Sequence, residues 1–313
     1  MIGNVYNVNK NCLVIGYGSI GKRHLNILRE MQCSVSLVSS QTIPNILCYS
    51  NIDQALNASA FDYIVIANPT YLHYQSLQQL LELHFNKIIL VEKPLFSQTN
   101  FEIDERRANI FVGYNLRFHA LLLAAKAIVK NEEMISFSAR VGQYLPTWRK
   151  NINYQDGYSA KKNLGGGVLR ELSHELDYAM WFCGSCSEVV ATGGHFSELE
   201  IDSDDVFFII MRCEQSPIVN VQLDFLSRVS YRDIRIQTKQ CTIVIDFIAG
   251  TLHVNHHLKL KLENAMEKTY YDQHSAILSG NHMNCCDILQ GLRVMRLIEA
   301  AELSVQKKQW IQL

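Results

Sequence analysis

Cys12-Leu-Val-Ile-Gly16-Tyr-Gly18-Ser-Ile-Gly21 decides the fold. The four apolar residues read as a strand buried on both faces, and Gly16, Gly18 and Gly21 follow at the spacing G-x-G-x-x-G. Gly16 permits a tight turn, Gly18 lets the backbone approach a pyrophosphate, and Gly21 lets the next helix pack closely on the strand. That helix, read from Ser19 to about Met31, presents unsatisfied N–H groups and a partial positive charge to a phosphate. Gly16, Tyr17, Gly18, Ser19, Ile20 and Gly21 are therefore assigned to a dinucleotide.

Outward from this turn, strands and helices alternate. Val35 to Val38, Tyr63 to Ala67, Ile88 to Val91 and Ile110 to Val112 read as strands. Asn51 to Asn57 reads as a helix, and Thr70 is placed as the N-cap of another that runs to about His84. The pattern predicts an α/β fold: an N-terminal Rossmann domain, 1–117, with a doubly wound parallel sheet. A ribose-binding carboxylate is expected at the end of the second strand, but Ser36-Leu-Val-Ser39-Ser40 carries none. Ser39 and Ser40 are the residues left to meet the ribose. Without a carboxylate to repel a 2′-phosphate, the choice between NAD and NADP tilts slightly to NADP.

After about Arg117 the texture changes. A helix from Ala120 to Lys130 leads into closely spaced strands, Ile135 to Val141, Val206 to Met211, Ile218 to Phe225, Ile234 to Gln237 and Thr242 to Phe247, and Ile288 to Leu303 reads as a closing helix. This second domain, 118–313, is expected to be α+β with a largely antiparallel open sheet. Several strands are apolar on both faces, so a second copy of the chain is the expected cover, as a homo-dimer or homo-tetramer. Net charge is −1, from 29 basic and 30 acidic residues, which argues against nucleic acid as partner. No apolar run suggests a membrane span, and Met1 to Lys10 lacks the pattern of a signal peptide, so a cytoplasmic protein is expected. Nine irregularly spaced cysteines fit reduced thiols. Cys183-Gly-Ser-Cys186 has no second pair to complete a zinc site, and His253, His256 and His257 are read as an exposed turn between strands, so no metal is expected.

Two places carry chemistry. Glu92-Lys93-Pro94 ends a strand at the carboxyl edge of the first sheet, where such folds bind ligands. There Lys93 can reach a substrate and Pro94 stops the strand. The second is Gly165-Gly-Gly167-Val-Leu-Arg-Glu171-Leu-Ser-His174-Glu-Leu-Asp177. On one continuous helix Glu171, His174 and Asp177 would share a face, and a carboxylate one turn away orients a histidine ring and raises its pKa. His174 and Lys93 are the catalytic candidates, with Glu171 and Asp177 in support.

These motifs, with Asn68-Pro-Thr-Tyr-Leu-His73, Gly113-Tyr-Asn-Leu-Arg-Phe118 and Ile298-Glu-Ala-Ala-Glu-Leu-Ser304, resemble the Gfo/Idh/MocA oxidoreductases, the glucose–fructose oxidoreductase and inositol dehydrogenase group. The resemblance covers nearly the whole chain. It implies that Asn68, Pro69, Thr70, His73 and Glu92 join Lys93 along the cofactor. It also implies that Arg117, Trp148, Arg149 and Tyr158 meet a sugar-like substrate with His174, a substrate that is acidic or nucleotide-linked if those side chains bind it through charge. The implied reaction is hydride transfer between nicotinamide and a secondary alcohol or ketone. Two departures stand out. Many members carry Asp where this chain has Arg170, leaving Glu171 as the carboxylate, a form that resembles a subgroup linked to bacterial surface sugars. The stretch from Ser97 to Asn109 is also short for the helix usual there. Two alternatives use the same fold: a nicotinamide-dependent glycosidase working by transient oxidation, and a silent nucleotide-sensing regulator resembling the galactose repressor. Retention of both Lys93 and His174 weighs against the second.

Overall fold

The structure, a computed structural model, describes residues 10–99, 103, 109–149, 153–263 and 265–313. The chain divides into two units, Met1–Asn115 with Glu267–Gly291, and Leu116–Met266 with Leu292–Leu313. A single boundary after residue 117 therefore needs correction: residues 267–291 return to the first unit. The expectation of a shortened helix between Ser97 and Asn109 lies largely outside the described residues. Among the described residues, no helix is long and apolar enough to cross a membrane.

The first unit opens with β1 (Asn11–Ile15), α1 (Ser19–Glu30), β2 (Ser34–Val38), β3 (Cys48–Tyr49), α2 (Ile52–Ala58), β4 (Tyr63–Ile66), α3 (His73–Glu82), β5 (Ile88–Val91) and β6 (Ile110–Val112). These six strands are parallel in the order β6-β5-β4-β1-β2-β3, so the sheet is doubly wound and its direction of growth reverses beside β1. Cys12 to Ile15, Tyr63 to Ile66 and Ile89 to Val91 are buried on both faces. That is why these strands read as unbroken apolar runs, and each fully buried Val, Leu or Ile stabilises the fold by about 1.5–3 kcal/mol. Asn51 caps α2, accepting from the Gln54 amide at 2.9 Å. The N-cap expected at Thr70 does not form. Residues Thr70–Leu72 make one 3-10 turn, closed by Leu72 N–H donating to the Pro69 carbonyl at 2.8 Å, and α3 begins at His73 without a side-chain cap.

The second unit contains α4 (Ala120–Val129), β7 (Met134–Gly142), α5 (Leu145–Trp148), α6 (Val168–Glu171), α7 (His174–Cys183), β8 (Cys186–Gly194), β9 (Val206–Cys213), β10 (Ser216–Asp224), β11 (Tyr231–Thr238), β12 (Thr242–Asp246), β13 (Thr251–Val254) and β14 (His257–Lys261). The chain then forms α8 (Ala265–Ser279), β15 (Cys286–Asp287), α9 (Ile288–Lys307) and β16 (Ile311–Gln312). β15 adds to the first sheet antiparallel to β6, so β6 is not its edge. The second sheet runs β14-β13-β12-β11-β7-β10-β9-β8-β16; only the β7–β10 pair is parallel, so the sheet is mixed but largely antiparallel. β8 and α8 were not anticipated. The inner face buries Phe137, Val221, Ile234 and Ile236, with Tyr178 and Phe182 of α7 packed against Phe137. The outer face leaves Ile135, Phe208, Ile210 and Ile218 about half exposed. His253 lies inside β13, and the turn is formed by Asn255 and His256, with Asn255 at φ 56°. Cys183 ends α7 and Cys186 opens β8, where it is the cross-strand partner of Cys213.

Candidate active site

In the first unit the glycine turn is shaped by what lies under each glycine. Gly16 has φ 99°, and a Cβ there would lie 2.6 Å from both the Cα and the N of Asn68. A Cβ on Gly21 would collide with the Gly16 carbonyl. Gly18 differs: a Cβ there meets nothing within 4 Å, so its α-carbon faces open space. Gly18 is the N-cap of α1 without a side-chain cap, and no acidic residue occupies the first turn. The amides of Ser19, Ile20 and Gly21 belong to the first turn, which has no helix carbonyl to accept from it. Beside the turn, Asn68 donates to Ser76 Oγ at 2.8 Å while its buried Oδ1 accepts no hydrogen bond. An uncapped helix start, an open α-carbon and an orphaned carbonyl oxygen together fit a dinucleotide phosphate and its neighbouring polar groups. Tyr17 lies under the Lys22 ammonium, 4.9 Å from its ring centre. At the end of β2, Ser39 Oγ accepts from the Gln41 amide at 3.0 Å, and Ser40 is exposed.

Glu92, Lys93 and Pro94 leave β5 at its carboxyl end, and the Lys93–Pro94 bond is cis. Glu92 is buried; its Oε2 accepts from the Lys93 amide at 3.0 Å and its Oε1 lies 2.9 Å from His24 Nε2. Burial pushes the Glu92 carboxyl up, but the His24 hydrogen bond and Lys93 outweigh it and hold it below the usual carboxylate range. Close packing explains Gly113, where a Cβ would come within 2.7 Å of Glu92 Oε1. His73 joins two loops, with Nε2 2.9 Å from the Asn68 carbonyl and Nδ1 3.1 Å and 3.2 Å from those of Pro94 and Leu95. Burial lowers its pKa, against the opposing pull of those carbonyls and of Glu92. Asn68, Pro69, Thr70, His73, Glu92 and Lys93 thus belong to adjoining strand exits of one sheet.

In the second unit the single helix expected to carry Glu171, His174 and Asp177 is broken. α6 ends at Glu171 and α7 starts at His174, so the three residues do not occupy one continuous helical face. Gly167 enters α6 at φ 109° under Asp204, whose Oδ2 accepts from the Leu169 amide at 2.9 Å. The turn then tightens, the Ser173 amide donating to Arg170 three residues back at 3.4 Å. Each carboxylate is drawn to a different arginine. Arg149 Nη2 lies 3.3 Å from Glu171 Oε2 and 3.2 Å from the Tyr158 hydroxyl, and Ser159 Oγ donates to Glu171 Oε2 at 3.2 Å. Burial, then the Glu171 charge, pushes the Tyr158 phenol above its usual range. The Arg149 guanidinium also lies over the rings of Trp148 and Tyr158, 5.6 Å and 4.9 Å from their centres. Asp177 instead holds Arg117, whose Nη2 donates to Oδ1 at 2.6 Å and whose Nε donates to Oδ2 at 2.9 Å. Both are buried, the Arg117 side chain being 3% exposed and paired with Asp177. His174 is buried at the start of α7. The structure therefore brings Trp148, Arg149, Tyr158 and Glu171 into one cluster and gives Arg117 and Asp177 to another. Among the described residues, no group of three or more His, Cys, Asp or Glu is placed to hold a metal.

Residues 10–106 match the model of the oxidoreductase family with an NAD-binding Rossmann fold, and residues 123–252 match the GFO/IDH/MocA C-terminal domain. An uncharacterized oxidoreductase of Schizosaccharomyces pombe is 30% identical over 47% of this chain and 41% of its own length. Inositol 2-dehydrogenase 1 of Paenarthrobacter aurescens is 23% identical over 70% of this chain and 68% of its own. The chain spans about two-fifths of the length of the first curated relatives it matches. A levoglucosan dehydrogenase solved with NADH superposes with a TM-score of 0.82 at 18% identity, covering 97% of this chain and 99% of that one. With both domain models of one family matched in order along its length, the chain belongs to the Gfo/Idh/MocA family of oxidoreductases.

Proposed function

We propose that this protein is a nicotinamide-dependent dehydrogenase or reductase acting on a secondary alcohol or ketone of a sugar or sugar derivative. The observation that carries the reading is the pairing, on one sheet, of an uncapped glycine turn open at Gly18 with a lysine held by a buried carboxylate. The dinucleotide, when bound, supplies or accepts the hydride. The chain's own groups do the rest. The α1 amides and Asn68 bind and orient the dinucleotide. His174 takes the hydroxyl proton on oxidation and returns it on reduction, and the Lys93 ammonium stabilises the negative charge that grows in the transition state. Arg149, Trp148 and Tyr158 bind the sugar; a cation backed by two aromatic faces suits a hydroxylated ring with an acidic substituent. Assay of a panel of polyols, sugars and sugar acids, following nicotinamide absorbance with each dinucleotide, tests this directly. Turnover with at least one member is expected, and dinucleotide binding without turnover on any would favour a sensor.

NADP is proposed to serve at least as well as NAD, because Ser39 and Ser40 place no negative charge where a 2′-phosphate would sit. Comparison of kcat/KM for the two cofactors checks this, and a strong NAD preference contradicts it. The half-exposed Ile135, Phe208, Ile210 and Ile218 support a homo-dimer or homo-tetramer through the outer face of the second sheet. Light scattering of the wild type and of Phe208→Lys is expected to show an oligomer and its dissociation.

A further inference from the structure

The first unit contains four buried polar side chains in a row: Tyr63 of β4, His274 of α8, His24 of α1 and Glu92 beyond β5. The Tyr63 hydroxyl is 2.9 Å from His274 Nδ1, His274 Nε2 is 2.8 Å from His24 Nδ1, and His24 Nε2 is 2.9 Å from Glu92 Oε1. Two elements far apart in sequence, α1 and α8, thus meet beneath the glycine turn and the lysine. The proposed reaction uses none of Tyr63, His24 or His274.

The direction of the row follows from proton counting. A neutral imidazole has one N–H and one acceptor nitrogen, and a phenol must place its proton somewhere. His274 is the hydrogen-bond partner of the Tyr63 hydroxyl, which is wholly buried. Tyr63 therefore donates to His274 Nδ1, His274 donates from Nε2 to His24 Nδ1, and His24 donates from Nε2 to Glu92. Run the other way, the Tyr63 proton would be buried without an acceptor, which is expensive. Burial supports the neutral forms, raising the Tyr63 phenol well above its usual range and lowering His274 well below its own. An acceptor at the far end is needed to complete the row, and that acceptor is the Glu92 carboxylate, whose other oxygen receives the Lys93 amide.

We propose that Tyr63, His274 and His24 are positioning residues, a one-way hydrogen-bond row that keeps Glu92 ionised and fixed and thereby holds Lys93 in place. The groups facing Glu92 are His24 with His274 behind it, the adjoining Lys93, His73 of α3, and Tyr63 at the far end. Interrupting the row at His274 removes the donor that fixes the His24 tautomer, so Glu92 loses its assured donor and its protonation moves toward neutral pH.

The claim about Lys93 rests on the function proposed above, whereas the row does not, and two measurements keep them apart. Nitrogen NMR of the wild-type rings reads the tautomers without turnover. Both His24 and His274 are expected as neutral Nε2–H rings at neutral pH; an Nδ1–H ring or an imidazolium at either position overturns the row. Kinetics then test positioning. His274→Leu is expected to lower kcat about tenfold, the scale of a displaced reacting group. It should also raise the acid limb of the pH profile by about one unit, while dinucleotide affinity is retained. His274→Gln, whose amide can accept from Tyr63 and donate to His24, should restore both. Tyr63→Phe, which keeps the ring in the core, should move the acid limb the same way by less. Unchanged pH profiles in His274→Leu and Tyr63→Phe, or a His274→Gln enzyme as impaired as His274→Leu, would overturn the positioning role.

Discussion

The two units fix their functional side chains by different means. Around the glycine turn and Lys93, the first unit uses backbone amides, neutral rings and one carboxylate, linked by hydrogen bonds. Around His174, the second uses arginine–carboxylate pairs: Arg117 with Asp177, Arg149 with Glu171, Arg170 with Glu302 and Arg232 with Glu175. Arginine stays charged throughout the accessible pH range, whereas histidine rings rearrange their protons near neutrality. The difference teaches where each unit is vulnerable: the first to changes that reverse or interrupt hydrogen bonds, the second to loss of one member of a pair.

The sharpest break is Asp177→Ala, which leaves the Arg117 guanidinium buried without its bidentate partner. Such a loss typically costs about 3–5 kcal/mol, read as a lower midpoint in urea. Replacing both residues, Arg117→Met with Asp177→Leu, should recover most of it. Recovery would show that the pair is structural; persistent loss of activity in a stable double variant would place Arg117 on the substrate side.

Two glycines give the counterpart in the first unit. Gly16→Ala forces a side chain into a positive-φ residue against the Asn68 backbone, with strain of about 1–3 kcal/mol, so stability and dinucleotide binding should fall together. Gly18→Ala adds a methyl group to open space. It should leave the melting temperature nearly unchanged while weakening dinucleotide binding about tenfold, or 1.4 kcal/mol. Equal behaviour of the two variants in both assays would contradict the assignment of the open α-carbon to a ligand.

A smaller effect distinguishes the units by pH. Burial, opposed by the Leu169 amide and Arg170, raises the Asp204 carboxyl to about 6. The folded chain therefore holds this proton more tightly than the unfolded chain. Its contribution is greatest below the ordinary carboxylate range and is lost as pH rises through about 6. Asp204→Asn keeps an acceptor for the Leu169 amide and should remove that slope from stability measured between pH 4 and 7.

What the sequence made legible divides along the same line. The glycine turn, the parallel strands and Glu92-Lys93-Pro94 are local patterns, each readable from its own neighbourhood. The His24–His274 contact is not, because 250 residues separate the partners. α8 itself was silent because its buried face is mostly polar, with Thr269, Gln273 and His274 beside Ile277, so it lacks the apolar stripe that announces a helix. In the second unit, the spacing of Glu171, His174 and Asp177 was legible, but the break between α6 and α7 was not. The carboxylates on either side of the break turn to Arg149, Ser159 and Arg117, residues that spacing along one segment does not reveal.

The central claim is that Lys93 and His174 act in the same chemical step. A double-mutant cycle in the single-turnover rate of hydride transfer, with Lys93→Met, His174→Ala and both together, tests it most directly. Each single change is expected to lose about 10²–10⁴ in rate, and the double variant should lose scarcely more than the worse single, because groups that act as a unit are strongly non-additive. Losses that simply multiply would mean that the two residues contribute independently of one another, and the joint action proposed for them would be wrong.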